Sequence, residues 1–235
     1  MNDAPHDHEM TILEHLAALR RCLIIAGIGA MVGMAFAAAF LTWPVFTLLT
    51  APVAGQLQAL RPTENFAAWL KVMLITGIGI AMPVIVWQAL LFVLPALHTH
   101  ERKWVFIAVP GITMAFAFGI TFGYFLVVPA AVGFLAGFGS EVVETKWSVD
   151  YYLSFVTSFL FWIGLSFETP LVMFFLAKLG VVNARQLGHQ WRYALVVSFV
   201  LGALITPTPD PFNQSLVSVP IFLLYGLGVL LARFA

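Results

Sequence analysis

Two acidic residues of this 235-residue chain stand where a carboxylate has work to do. Glu168 interrupts the apolar stretch FWIGLSFETPLVMFFL, two residues before Pro170. About ten residues separate it from the basic marker Lys178, which puts it roughly 15 Å deep if the stretch is a membrane helix. An acid at that depth costs a few kcal/mol and marks a functional position by default. The plainer alternative is an uncharged Glu168 hydrogen-bonded to a neighbouring helix, with Gln88, Tyr124 or Thr169 as candidate partners. Glu101 sits in the polar link PALHTHERKW beside Arg102 and Lys103. It either pairs with them or offers an anionic acceptor, held between two helix ends, suited to bidentate binding of a guanidinium.

Other chemistry is missing from the sequence. It contains no G-x-S-x-G, H-E-x-x-H, P-loop or Gly-rich dinucleotide turn, so the reading is a non-enzyme. His6, His8, His98 and His100 lie in polar segments with no cysteine or acid cluster to complete a metal site, and no cofactor is expected. Cys22 is the single cysteine, which excludes an internal disulfide.

The elements that must position these groups are membrane helices. Hydrophobic residues make up 61% of the chain and charged ones 9%, far from a soluble composition. The formal net charge is zero, so no global field argues for nucleic acid. Apolar runs at about 22–42, 68–94, 104–133 and 151–179 are long enough to cross a bilayer. Two shorter ones, about 193–206 and 214–232, are separated by the turn-forming PTPDPFN. The expectation is an all-α polytopic membrane protein with six transmembrane helices in a single integral membrane domain, 1–235. The fifth run reaches only some 21 Å against a hydrocarbon core near 30 Å, which means local thinning or a re-entrant hairpin.

With six spans both termini share a side, and that side carries Arg20, Arg21, Arg102, Lys103, Lys178, Arg185, Arg192 and Arg233. The other carries Arg61, Lys71 and Lys146, so the positive-inside rule puts both ends in the cytoplasm. The apolar stretch after Arg21 has no A-x-A-like cleavage site after it and reads as a retained anchor. Thr11 and Glu14 have the spacing of a capping box at the start of TILEHLAALRR. Gly119 and Gly123, a G-x-x-x-G, suggest close helix packing.

Five ordered segments then become informative together. HLAALRR (15–21), FVLPALHTHERK (92–103), FGITFGYFLVVP (118–129), SFETPL (166–171) and LITPTPDPFNQ (204–214) resemble the motifs of the TatC family, the receptor subunits of the twin-arginine protein translocase. The resemblance implies a cup-shaped bundle in a bacterial or archaeal cytoplasmic membrane that binds paired-arginine signal peptides. It implies export of folded cargo by the proton-motive force, within a multimeric complex with TatA-type and TatB-type single-span subunits. By position it carries signal binding to Glu101 and Arg20, with His15, Arg102 and Lys103 beside them. Pro52 matches an outer-loop proline, and Tyr124, Glu168, Asp210 and Gln214 match polar family positions. The family's N-terminal motif usually reads H-L-x-E-L-R, whereas this chain has Ala18 at the glutamate. Glu14, one helical turn earlier, either replaces that acid or only caps its helix. Two other readings remain at this point: a proton-coupled carrier titrating at Glu168, though no inverted repeat is evident, and a passive membrane scaffold.

Overall fold

In a computed structural model, which describes residues 12–93, 102–140, 146–206 and 210–235, nearly everything is helical. The helices are α1 (Ile12–Phe36), α2 (Thr42–Thr50), α3 (Glu64–Val93), α4 (Arg102–Phe122), α5 (Val128–Gly137), α6 (Val149–Lys178), α7 (Ala184–His189), α8 (Trp191–Ile205) and α9 (Pro211–Leu231). Five stretches are long and apolar enough to cross a membrane: Leu13–Val53, Glu64–Phe92, Ala108–Gly137, Val149–Lys178 and Pro211–Leu231. The shorter α8 makes the sixth.

Two boundaries differ from the sequence expectation, for identifiable reasons. The first span does not stop at Thr42, because a π-helical turn at Ala37–Leu41 leads directly into α2. Pro44 lacks the N–H for the carbonyl four residues back and its ring crowds that oxygen. A wider turn upstream accommodates it, with the Thr42 hydroxyl donating to the Ala37 carbonyl at 2.8 Å. Gly123–Val127 is a second π turn, placed just before Pro129 in the same way. The last span is also longer than expected. Asp210 caps α9 by accepting from the Asn213 N–H at 2.7 Å, and Pro211 fills the first helical position, giving a helix of 21 residues, long enough to span.

Helix α6 is the axis of the bundle, packed against α3, α4 and α9. Val72, Val128, Leu153, Val156, Phe159 and Val217 form the larger core cluster around it. Glycines let the helices approach closely, as membrane packing favours. A Cβ on Gly119 would lie 2.9 Å from the Gly164 Cα, and one on Gly123 2.9 Å from Leu160 Cδ2, so the G-x-x-x-G of α4 is an α4–α6 packing face.

The hairpin of α8 and α9 depends on Gly202 most directly. An added Cβ there would sit 2.1 Å from the Ser218 hydroxyl and 3.0 Å from the Gln214 carbonyl. Gly202→Ala is expected to destabilise the purified protein by about 1–3 kcal/mol, the usual range for overpacking. Adding Ser218→Ala removes the worst clash and should recover most of the loss in a thermal melt; strictly additive effects would show that the clash is not the cause.

One end of the bundle is tied by a feature too short to carry a sequence period. Strands β1 (Leu57–Gln58) and β2 (Trp147–Ser148) pair in parallel, Leu57 opposite Trp147. They join the segment after α2 to the start of α6, and we refer to this as the strand end. The opposite end, where α3 stops, α4 begins and α7 lies, is the basic end.

Candidate functional site

At the basic end, α1 packs antiparallel along α3 and brings two of the polar sequence segments together. The His15 ring lies 4.4 Å from the Phe92 ring, tilted by 33°. The first turn of α1 therefore touches the last turn of α3, immediately before the link that carries Glu101. Glu14 lies in the first turn of α1, exposed, and Arg20 is exposed two turns on. Ala18, where the family motif has its glutamate, is half-buried. Glu101, His98 and His100, like Thr11, lie outside the described residues, while Arg102 and Lys103 open α4.

Glu168 sits in the middle of α6, 8% exposed, and its Oε1 is buried with no hydrogen-bond partner among the described residues. Of the three candidate partners, Gln88, Tyr124 and Thr169, none bonds that oxygen, and Tyr124 is engaged elsewhere. The Tyr124 hydroxyl donates at 2.9 Å to the Leu48 carbonyl near the end of α2, which also accepts from the Ala51 N–H. The Tyr152 hydroxyl donates to the Leu49 carbonyl at 2.9 Å. Gln88 is buried on α3, in helical register with Gly77, Ala81 and Val84, which the α1 residues Met34, Gly33 and Gly29 contact. Gln214 bridges the last hairpin, its amide donating to the Phe199 carbonyl at 3.0 Å.

The bundle opens into an apolar groove of about 420 Å³ between α2, α3, α4 and α6, which Glu168 does not line. Thr76, Thr113, Phe116, Tyr124, Thr157 and Phe161 are among its lining residues. Thr113 Oγ1 has no hydrogen-bond partner among the described residues. Gly119 of α4 meets Gly164 of α6 and Gly111 approaches Leu171, so antiparallel register puts Thr113 at nearly the level of Glu168. Two orphaned polar atoms thus lie at similar depth, a costly arrangement in a medium that offers no water.

The strand end holds a polar cluster that sequence reading missed. Glu64, 7% exposed, accepts from the Leu60 N–H at 3.0 Å and from the Ser148 hydroxyl at 3.1 Å. Lys71 pairs with Asp150 and donates to the Ser154 hydroxyl at 2.7 Å. These bonds join α3 to α6 across 79 to 84 residues of chain, a separation that no local spacing reveals. Pro52 lies exposed in a 3₁₀ turn, Ala51–Val53, beside this cluster's strand, and Asp210 is the cap of α9.

The fold and these sites define a polytopic helical membrane protein that presents a polar rim at one end and an apolar groove along its length. A family model described as Sec-independent protein translocase protein (TatC) matches residues 14–220. The chain belongs to the TatC family. A TatC protein of Carboxydothermus hydrogenoformans is 37% identical over 97% of this chain and 95% of its own length. One from Deinococcus radiodurans is 38% identical over 94% and 85%. A crystal structure described as the twin-arginine translocase receptor TatC superposes with a TM-score of 0.84 at 37% identity, covering 94% of this chain and 99% of that one. A second, in DDM, gives 0.86.

Proposed function

We propose that this chain is the signal-peptide receptor of a twin-arginine translocase. The contact that supports the reading is His15 on Phe92, which sets the start of α1 against the end of α3. Glu101 in that link holds the signal's guanidinium groups, with Glu14 one turn from Ala18 as the second acid. Arg20, Arg102 and Lys103 border the site. The apolar part of the signal then lies along the groove lined by Phe116, Tyr124 and Phe161.

In this reading both termini face the cytoplasm, because the basic end carries most of the cationic residues. Glu168 meets the span of a TatA-type or TatB-type partner, and folded cargo is exported by the proton-motive force within a multimeric complex. The relatives named as TatC and the solved receptor support the assignment.

Peptide binding in detergent tests the site. A Lys-Lys signal keeps the charge but loses the bidentate fork, so it should bind at least about tenfold more weakly than the Arg-Arg peptide, worth about 1.4 kcal/mol. Glu101→Gln should narrow that gap by weakening capture of the Arg-Arg signal. Equal affinity for both peptides in the wild type would remove the receptor assignment, and undiminished capture by Glu101→Gln would remove that residue from it.

A further inference from the structure

The basic end has a second feature that signal recognition does not use. Thr169 through Pro209 contain no acidic residue, while Lys178, Arg185 and Arg192 fall within them. Arg185, His189 and Arg192 are all exposed, and none makes an ion pair with a described residue. Asn183 and Gln186 form a reciprocal capping box that already occupies the start of α7, so any site here is built of side chains. The Tyr225 hydroxyl donates to the Leu187 carbonyl at 2.6 Å and fixes α7 against α9.

Helix α7 runs into α8 with only a bend at Gln190, whose φ of −88° and ψ of 11° keep the path near-helical. Arg185, His189 and Arg192 are spaced i, i+4 and i+7, one stripe of that path. The same stripe continues down α8 through Val196, Val200 and Leu204, which are 61%, 53% and 77% exposed. Two open hollows follow it. One of about 600 Å³ is lined by Arg185, Gln186 and His189; one of about 510 Å³, mostly apolar, is lined by Val196, Phe199, Val200, Ala203 and Leu204, with Gln214 as its polar member. Trp191 and Tyr193 lie between them, exposed at the level where interfacial aromatics belong, with the Arg192 guanidinium 5.7 Å from the Trp191 ring centre.

We propose that this knee binds one anionic phospholipid, its phosphate held by Arg185 and Arg192 and an acyl chain laid in the α8 hollow. Cationic hollows at the ends of membrane helices suit such headgroups. The location also has a physical consequence. The 15 residues of α8 reach only about 22 Å, short of a core near 30 Å, so for α8 to span, the bilayer surface has to come inward there. A headgroup tethered at α7 holds it inward.

The full chain, reconstituted in phosphatidylcholine vesicles containing phosphatidylglycerol and re-extracted in mild detergent, should retain phosphatidylglycerol in native mass spectrometry. R185Q with R192Q should weaken retention roughly twenty-five-fold, the effect of two surface cations, whereas R185K with R192K should keep most of it. Ala203→Trp fills the apolar hollow without altering a cation and should also release the lipid. R61Q with K146Q, at the strand end, should change nothing. Unchanged retention in the double glutamine variant, equal loss in the strand-end variant, or displacement of the lipid by excess inorganic phosphate would each overturn the assignment.

Discussion

Gly77→Val is expected to lower the thermal midpoint of the detergent-purified protein by roughly 6–12 °C, about 3 kcal/mol for a chain of this size. A Cβ on Gly77 would stand 2.5 Å from the Met34 Cα and 2.7 Å from its nitrogen, and one on Gly33 2.4 Å from the Gly77 carbonyl. These are backbone contacts, so no rotamer change relieves them; α1 must back away from α3. Gly27 provides the control, since an added Cβ there meets nothing within 4 Å. Gly27→Ala should be neutral or stabilising by up to about 1 kcal/mol through helix propensity. The separation of α1 and α3 also parts His15 from Phe92, so Arg-Arg peptide binding should fall with the midpoint. Equal melting of the two variants would show that the α1–α3 crossing does not limit stability.

That crossing illustrates what the chain makes legible. Spans could be read because a bilayer imposes a minimum apolar length on every crossing helix, and α3, α4 and α6 each carry one continuous apolar run. Boundaries were harder wherever a proline was absorbed without ending its helix, as at Pro44 behind the π turn, where a backbone register shift leaves no signature in hydropathy. Of the proposed site, Glu101 and Glu168 stood out because each is an acid in unlikely company. Glu64 and Asp150 did not, since each sits in an ordinary polar stretch and gains its meaning from partners on another helix. The same limit applies to the partner of Glu168. Periodicity shows which residues share a face of one helix, but the Tyr124 hydroxyl is bonded to the Leu48 carbonyl, and only packing decides which faces meet.

Glu168→Leu is expected to raise the midpoint of the isolated protein while abolishing assembly with single-span partners. The two effects have one cause. Oε1 of Glu168 has no partner within the described bundle, so that oxygen is desolvated without a compensating bond. Exchanging an unsatisfied buried polar group for leucine should recover about 1–3 kcal/mol, or roughly 2–12 °C in a chain of this length. If the acid is retained for a hydrogen bond to an incoming span, leucine removes that bond and co-purification of a TatA-type or TatB-type partner is lost. Glu168→Gln keeps a hydrogen-bonding group of the same shape and should preserve assembly better than leucine does. Retained assembly in the leucine variant would mean that the acid makes no such bond, and an unchanged or lowered midpoint would mean that Glu168 is already satisfied inside the bundle.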